Sequence, residues 1–440
     1  MTETVYAVSS GAGRAGVAVI RLSGPAAGPA LRALAGRLPE PRRATLVRFR
    51  DASESIDHGL ALYFPAPKSF SGEDMAELHV HGGRAVLARI LAALARLPGL
   101  RPAEPGEFTR RAFENGKLDL ASVEGLIDLI DAETEAQRRQ ALRQMEGALG
   151  KQAESWRERL VRTLALAEAE IDFADEADVP ESVGRRAAGE AAPLLAEIRR
   201  YLADARRGER VREGLVIVIA GPPNAGKSTL LNALARREAA IVSEEAGTTR
   251  DVIEVRLELA SQAVTLLDTA GLREAESAVE REGVRRALER AARADLVLWL
   301  EAADTGSAAP PEALAGVPLL RLRTKCDLVP DGPDGRSGPD VLNISVRTGE
   351  GIPALLDRLS AFAAEAGGEP ALVTRERQRL ALQDCADALA RVVETAPDEL
   401  ALELVAEDLR LAARALGRLV GRVDVEDLLD VIFREFCIGK

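Results

Sequence analysis

The stretch from Leu215 to Leu231 constrains the fold of this chain more than any other, because it reads as a strand, a glycine-rich loop and a helix in succession. Six apolar residues come first, the loop runs from Gly221 to Ser228, and a leucine-rich helical pattern follows. This is a P-loop in the structural context that it requires. Its glycines let backbone amides donate to a phosphate, and the helix N-terminus adds its positive dipole. A chance glycine turn is the alternative, but Lys227 stands in register, so we expect a nucleoside triphosphate site.

Side chains in and after this loop have predicted roles in binding phosphate and metal. Lys227 is expected to reach the β- and γ-phosphates, and the Ser228 hydroxyl to ligate Mg²⁺. Asp268 ends an apolar run, where a carboxylate facing Mg²⁺ belongs, and Gly271 offers an amide to the γ-phosphate. Between them, Thr249 on a switch loop is expected to give Mg²⁺ its second hydroxyl.

A later motif narrows the nucleotide to a guanine nucleotide. Asp327 can accept hydrogen bonds from N1 and from the 2-amino group of guanine, which adenine cannot match. Ser345, Val346 and Arg347 are expected to close over the base. The motif usually begins with Asn, and Thr324 replaces it here, which leaves the affinity for the base open. The predicted GTP-binding residues are Asn224, Ala225, Gly226, Lys227, Ser228, Thr229, Ser243, Glu244, Glu245, Ala246, Gly247, Thr248, Thr249, Asp268, Thr269, Ala270, Gly271, Thr324, Lys325, Asp327, Ser345, Val346 and Arg347.

Length and composition set the remaining limits. The chain has 440 residues, which allows about three domains with sizeable cores. No apolar run reaches the length of a membrane span, and the start of the chain lacks the basic and apolar regions of a signal peptide. With three scattered cysteines, these features predict a cytoplasmic protein with no membrane partner. The net charge of −12 argues against a nonspecific nucleic-acid coat, so an RNA partner needs a local patch. Arginine pairs at 110/111, 138/139 and 206/207 are the candidates.

Lysine is scarce, with six lysines against 52 arginines. Where lysine persists, a compact and rotatable ammonium group is expected to be needed. Lys227 and Lys325 already belong to the nucleotide site. Lys117 and the terminal Lys440 are therefore candidates for a second site, with chance survival as the alternative.

The hydropathy pattern divides the chain into four segments. Residues 1–118 alternate strand-like runs with a helix and predict an α+β domain. Residues 119–213 and 367–440 show helical periodicity and predict a helical bundle, while residues 214–366 carry the GTPase motifs. Because helical periodicity resumes after the GTPase motifs, we expect the GTPase domain to be inserted into one helical domain. The predicted fold class is multidomain, α/β plus all-α.

One strand of the first domain carries Glu77, His79 and His81 on a single face. A metal site is one interpretation. A further ligand is not evident in the sequence, so the wall of a polar pocket is the favoured interpretation.

The end of the chain carries the most specific resemblance. The ordered GTPase motifs resemble the Ras-like fold of the TRAFAC class. The terminal Phe436-Cys-Ile-Gly-Lys440, together with Pro105-Gly-Glu-Phe and Lys117-Leu-Asp-Leu, resembles the MnmE (TrmE) family of tRNA-modification GTPases along essentially the whole chain. The resemblance implies an N-terminal folate-binding and dimerisation domain, a helical domain and an inserted Ras-like P-loop GTPase domain.

The resemblance also implies an activity and its partners. Such a protein is a homodimer and a GTPase, a hydrolase acting on acid anhydrides. It works with the FAD- and NADH-dependent protein MnmG (GidA) in a heterotetramer or larger complex. Together they add an aminomethyl or carboxymethylaminomethyl group to C5 of the wobble uridine, U34, of certain tRNAs. The carbon comes from 5,10-methylene-tetrahydrofolate, for which 5-formyl-tetrahydrofolate is an analogue.

Site residues follow from the same resemblance. Folate contacts are implied for Arg21, Glu77, Lys117 and Lys440. Cys437 is either a nucleophile or a packed thiol at the end of a helix.

Hydrolysis needs a further device, because Leu272 stands where many GTPases carry a water-orienting glutamine. The resemblance implies K⁺ in the active site and Glu280 as the catalytic acid or base beside Lys227, with Arg273 as its rival. The implied K⁺ ligands are Asn224, Ser243, Glu245 and Thr248.

Two other functions stay open at this stage. A ribosome-assembly GTPase that binds rRNA shares the GTPase domain but appends dedicated RNA-binding domains. A signalling switch without chemistry is the second alternative, and folate binding would speak against it.

Overall fold

The computed structural model describes residues 3–11, 13–172, 183–237, 254–268, 292–304, 309–329, 341–395, 402–423, 429, 432–434 and 436–439. The chain forms two compact units. The first comprises Met1–Ile127, Gln144–Ala196 and Ala381–Lys440, and the second comprises Asp128–Arg143 and Glu197–Leu380. Within the described ranges, no helix has the length and apolar composition to cross a bilayer.

The first unit begins with a six-stranded sheet. Its elements are β1 (Thr4–Val8), β2 (Ala15–Ser23), α1 (Ala27–Ala35), β3 (Thr45–Asp51), β4 (Glu54–Phe64), β5 (Met75–Gly82), α2 (Arg84–Ala95), β6 (Leu100–Pro102) and α3 (Glu107–Glu114). The strand order is β3-β4-β5-β2-β1-β6, with β6 parallel to β1 and every other pair antiparallel. Helices α1 and α2 share one core with Ile20, Phe49 and Leu78 on one face of the sheet. On the other face, Phe108 of α3 packs with Val5 of β1.

The GTPase motifs lie on a second six-stranded sheet. Its elements are β7 (Leu215–Ala220), α8 (Lys227–Arg237), β8 (Glu254–Leu259), β9 (Gln262–Asp268), β10 (Leu296–Ala302), β11 (Leu319–Thr324), β12 (Val341–Asn343) and α9 (Ile352–Ala366). The order is β12-β11-β10-β7-β9-β8, parallel except for the β8–β9 hairpin. Both faces are apolar, which is typical of a parallel sheet buried on both sides. The carboxyl ends of β7, β9 and β11 therefore meet at one edge.

Helices connect and follow the two sheets. They are α4 (Leu120–Asp131), α5 (Glu135–Met145), α6 (Ala148–Asp172), α7 (Val183–Glu213), α10 (Glu376–Thr395) and α11 (Leu402–Val420). In the first unit α6 packs along α11, and Arg410 pairs with Glu168 at 2.8 Å. These two helices come from opposite sides of the GTPase motifs, so the predicted inserted architecture is confirmed.

Packing in the second unit joins the GTPase sheet to neighbouring helices. Arg256 of β8 pairs with Glu133 at 3.1 Å, and the Ala136 amide donates to the Ser261 carbonyl at 3.4 Å. The division into two units cuts across α7 and α10. The segment boundaries at 118, 213 and 366 therefore stay a prediction.

Candidate functional site

The phosphate loop joins β7 to α8 through unusual backbone conformations. Gly221 has φ of 150°, and Gly226 has φ of 88°. A Cβ on Gly221 would lie 2.4 Å from the carbonyl oxygen of Leu300 on β10, so only glycine fits there. Asn224 has φ of 59°, a left-handed conformation that asparagine tolerates better than most residues.

The first turn of α8 brings a cation and a hydroxyl to the end of β9. Lys227 Nζ donates to the carbonyl oxygens of Gly221 at 2.8 Å and Pro222 at 2.9 Å. Burial lowers the pKa of Lys227, and the charge of Asp268 opposes that shift. Ser228 Oγ donates to Oδ2 of the buried Asp268 at 2.6 Å. Mg²⁺ prefers oxygen ligands, and here a hydroxyl oxygen and a carboxylate oxygen lie close together, so the pair fits this metal.

Thr324 connects the guanine motif to the phosphate loop. It ends β11, is 4% exposed, and donates through Oγ1 to the Ala225 carbonyl at 2.7 Å. The residue that replaces the usual Asn thus holds the segment predicted to bind the base against the loop predicted to bind the phosphates. The sequence did not indicate this contact, because Thr324 ends β11 while Ala225 lies on the loop after β7, and β10 separates these two strands in the sheet.

The carboxylate predicted to recognise guanine is held by two neighbours. Asp327 accepts hydrogen bonds from the Ser345 hydroxyl at 2.5 Å and from Arg347 Nε at 2.8 Å. These bonds hold the pKa of Asp327 below its usual range, so this group is an anion that accepts. Val346 packs partly buried against the core of the sheet, which fixes the segment behind Asp327.

Lys325 has an acidic neighbour that sequence reasoning missed. Its φ of 57° is left-handed, and its Nζ donates to Asp304 Oδ2 at 3.0 Å. Asp304 follows β10 at the edge of the sheet where the motifs gather. Its place just after an apolar strand was the available signal.

The structure brings the phosphate loop, Asp268 and the guanine motif to one edge of the sheet. Thr229 is exposed in the first turn of α8. The other predicted residues lie outside the described residues, and they are Ser243, Glu244, Glu245, Ala246, Gly247, Thr248, Thr249, Thr269, Ala270, Gly271, Arg273, Glu280 and Lys440.

Two of the predicted folate residues face each other on the first sheet. Arg21 of β2 donates to Glu77 Oε1 of β5 through Nε at 3.1 Å and Nη2 at 3.0 Å. His79 Nε2 lies 3.2 Å from Glu77 Oε2, so the histidine belongs to this polar cluster. His81 instead pairs with Asp57 at 2.8 Å. The described residues contain no cluster of His, Cys, Asp and Glu that could hold a metal ion.

The loop between β4 and β5 links Lys117 to the same place. Phe70 on this loop is 37% exposed, and its ring centre lies 5.6 Å from the Arg21 guanidinium carbon. A Cβ on Gly72 of the loop would lie 3.2 Å from Lys117 Cε. Arg21 and Lys117 therefore flank one loop, which neither motif spacing nor periodicity could indicate.

Cys437 is exposed near the end of the chain. Phe436 before it is buried, and Ile438 after it forms an antiparallel bridge with Pro105. The thiol therefore faces solvent on a backbone segment that is fixed to the first sheet's unit.

A buried ion network lies beside this cluster and was missed from the sequence. Arg111 is 6% exposed and donates to Glu73 and Glu107, each at 2.9 Å. The Ser23 hydroxyl donates to the same Glu73 at 2.7 Å. Burial removes Arg111 from the candidate tRNA contacts. The four-residue spacing of Glu107 and Arg111 on α3 was the available signal.

Comparison with known proteins covers the whole chain. A family model of the MnmE helical domain matches residues 120–437, and a model of the GTP-binding protein TrmE N-terminus matches residues 4–117. The tRNA modification GTPase MnmE of Parvibaculum lavamentivorans is 60% identical over 443 residues, covering 100% of both chains. The tRNA modification GTPase MnmE of a Bradyrhizobium species is 56% identical over 446 residues, covering 100% of this chain and 99% of the relative. A solved structure of an Aquifex aeolicus Era variant bound to GDP and AlF4⁻ is 22% identical, with a TM-score of 0.28, covering 39% of this chain and 66% of Era.

Proposed function

Because this chain belongs to the MnmE family of tRNA modification GTPases, we propose that it uses GTP hydrolysis to modify C5 of the wobble uridine, U34, of certain tRNAs. The product is a uridine that carries an aminomethyl or carboxymethylaminomethyl group. The observation that carries the proposal is the similarity, over the full length of the chain, to relatives of that name. It is supported by the polar cluster of Arg21, Glu77 and His79 on the first sheet, which is distant in sequence from the GTPase motifs. The proposed modification of tRNA takes place in the cytoplasm.

The nucleotide site supports GTP as the cofactor through its own side chains. Asp327, held as an anion, accepts from the guanine edge, and Thr324 keeps that motif in register with the phosphate loop. When GTP binds, Lys227 donates to phosphate oxygens in place of the Gly221 and Pro222 carbonyl oxygens that it contacts here. Ser228 and Thr249 would hold Mg²⁺, which supplies neutralisation of phosphate charge when bound.

The site also has donors that suit K⁺. The Asn224 amide oxygen can coordinate a hard monovalent cation without adding charge. Its left-handed backbone turns the loop at that residue. Ser243, Glu245 and Thr248 are the remaining proposed ligands, and hydrolysis is proposed to accelerate when two GTPase domains meet.

Glu280 is the proposed catalytic acid or base, and a pair of variants tests it. Glu280→Ala should keep GTP affinity and lose most turnover, because the group acts on water and not on the ground state. Arg273→Ala is the matched comparison and should retain turnover. Binding of a fluorescent GTP analogue and phosphate release measure the two properties. Retained turnover in Glu280→Ala would contradict the assignment.

The second cluster suits a folate that donates one carbon. The Glu77 carboxylate can accept from an aminopyrimidine edge such as the pterin ring of 5,10-methylene-tetrahydrofolate or its 5-formyl analogue. Lys117 and Lys440 are cations suited to the carboxylates of the folate tail, and Arg21 orients Glu77 through two hydrogen bonds. Cys437 is exposed and lies three residues before Lys440 in the sequence, and it is the proposed nucleophile.

Two protein partners complete the proposal. The FAD- and NADH-dependent MnmG supplies the redox chemistry, in a heterotetramer or larger complex. A second copy of this chain is supported by Leu46 and Leu60, which are 70% and 39% exposed and sit opposite each other on β3 and β4. Light scattering tests the homodimer, and glutamate at both positions should give monomers; a wild-type monomer would contradict it.

Mass spectrometry of tRNA nucleosides tests the whole proposal. A strain that lacks this protein should lose the 5-substituted wobble uridine, and wild type should restore it. A chain without Lys440 should fail to restore it while retaining GTP hydrolysis. Unchanged wobble uridine in the deletion strain would overturn the proposed modification and leave the GTPase assignment intact.

A further inference from the structure

A side-chain hydrogen bond fastens the end of the chain to the start of the first sheet. Ser9 follows β1, and its Oγ donates to the Gly439 carbonyl oxygen at 2.6 Å across 430 residues of sequence. The neighbouring Ser10 has a different contact, because its Oγ accepts from the Val19 amide at 3.2 Å within the β1–β2 pair. The two adjacent hydroxyls thus have different partners: that of Ser9 binds the Gly439 carbonyl, and that of Ser10 binds the Val19 amide.

The tail itself is shaped for this place. Gly439 has φ of 101°, and a Cβ on it would lie 2.1 Å from the Val8 carbonyl oxygen. Any other residue would push the tail away from β1. Ile438 forms its bridge with Pro105, and the Phe436 ring stacks on Phe433 at 6.2 Å between centres. Residues 436–439, here called the tail, are therefore held by an aromatic contact, a backbone bridge and one hydroxyl.

The tail is bound at the end of the β1–β2 pair, near the strand position that lies opposite Arg21. Ala7 on β1 lies directly opposite Arg21 on β2, and Ser9 is two residues beyond Ala7. The Ser9 amide donates to the Val19 carbonyl at 2.8 Å, which continues the β1–β2 pairing to the point where the tail is bound. The Ser9 hydroxyl therefore holds Gly439, two residues after Cys437, beside the pair of strands to which Arg21 belongs.

We propose that Ser9 is a positioning residue for the site on the first sheet. Its hydroxyl fixes the tail, and the site is complete only when residues 436–439 are docked. The ligand part of this inference rests on the proposed folate function, whereas the docking part does not. Loss of one hydroxyl hydrogen bond to a carbonyl corresponds to about a fivefold change in an equilibrium.

Three substitutions and a control in the full-length protein test the proposal. Ser9→Ala removes the hydroxyl, Ser9→Thr keeps it, and Gly439→Ala obstructs docking from the tail side. Ser10→Ala is the matched control, because it removes a neighbouring hydroxyl that is hydrogen-bonded to the Val19 amide instead. Hydrogen exchange measured by mass spectrometry follows the C-terminal peptide, and calorimetry measures binding of 5-formyl-tetrahydrofolate.

The expected pattern separates positioning from general stability. Ser9→Ala and Gly439→Ala should speed exchange in the C-terminal peptide and weaken 5-formyl-tetrahydrofolate binding by about fivefold or more. Ser9→Thr and Ser10→Ala should match wild type, and GTP hydrolysis should be unchanged in all four variants.

Other outcomes overturn distinct parts. Unchanged exchange in Ser9→Ala overturns the docking role. Faster exchange with unchanged affinity overturns the positioning of the ligand site. If the wild-type protein does not bind 5-formyl-tetrahydrofolate, the folate function and the ligand part fail together, while hydrogen exchange still decides whether Ser9 docks the tail.

Discussion

Single hydroxyl groups hold distant loops of the nucleotide site together. Thr324 on β11 donates to the Ala225 carbonyl on the phosphate loop, and both residues are buried. Asp327, three residues later, contacts Ser345 and Arg347 instead. We therefore expect the two residues of the guanine motif to have separable effects, Thr324 on the phosphate loop and Asp327 on the base.

Substitution of Thr324 tests this separation. Thr324→Val keeps the shape but removes the donor, so affinity for both GTP and GDP should fall about fivefold to tenfold. Preference for GTP over xanthosine triphosphate should persist, because Asp327 is untouched. Titration with fluorescent nucleotides measures both. Thr324→Ser should restore affinity, and Asp327→Asn should instead change the base preference. Wild-type affinity in Thr324→Val would contradict the role.

The sequence indicated chemistry that depends on local spacing. Lys227, Ser228 and Asp268 each follow or end an apolar strand, and the structure places Ser228 and Asp268 in contact. The bond from Thr324 to Ala225 could not be predicted, because it spans 99 residues and depends on strand order. The contact of Arg111 with Glu73 could not be predicted for the same reason, because 38 residues separate the two.

At the scale of elements, α3 is fastened to the first sheet by charge. Glu107 in its first turn accepts from Arg101 at 2.6 Å and from Arg111 at 2.9 Å. Burial by itself would raise the pKa of Glu107, but hydrogen bonds from Arg101, the Glu104 amide and Arg111 together hold that pKa below its usual value. The carboxylate therefore stabilises the folded state wherever it is ionised.

The stability that Glu107 contributes should depend on pH. Because its folded pKa lies below its unfolded value, the contribution is present above pH 4.5 and is lost as the pH falls through the folded pKa. Glu107→Gln should lower the free energy of unfolding by about 2 kcal/mol at pH 7, and the difference from wild type should shrink below pH 4.5. Urea unfolding followed by Trp156 fluorescence, in a Trp299→Phe background, measures it. A difference independent of pH would contradict this account.

Elements with strong periodicity were predicted well from the sequence, and elements held by tertiary contacts were not. The apolar run before Gly221 coincides with β7, whereas the short strands β1 and β6 are defined by pairing with their neighbours in the sheet. Helix α7 spans Val183–Glu213. Its last turns carry mostly charged residues, and contacts hold them in place, including Glu209 with Arg379 at 2.8 Å and Arg212 Nε with the Thr374 carbonyl at 3.1 Å.

At the scale of the molecule, the two ends of the segment predicted to be inserted lie at neighbouring points. A Cβ on Gly214, just before β7, would lie 3.1 Å from the Ala263 carbonyl oxygen. A Cβ on Gly367, just after α9, would lie 2.7 Å from Gln262 Nε2. Because Gln262 and Ala263 are consecutive on β9, the two ends of the segment meet the same strand. Close ends allow a domain to be inserted without disturbing its host.

Excision of residues 215–366 tests this architecture. With Gly214 and Gly367 joined by a short Gly/Ser linker, the remaining chain should fold cooperatively, as measured by circular dichroism. It should lose GTP hydrolysis, since every GTPase motif is removed. Faster hydrogen exchange is expected in residues 128–143, because the Glu133 and Ala136 contacts to the β8–β9 hairpin are absent.

An excision of equal length shifted ten residues toward the C-terminus is the control. This excision leaves β7 in the chain without its neighbouring strands and removes Arg375, which forms a 2.6 Å ion pair with Asp128. The shortened chain should therefore not fold. Equal behaviour of the two excisions would contradict the view that Gly214 and Gly367 mark the points of insertion.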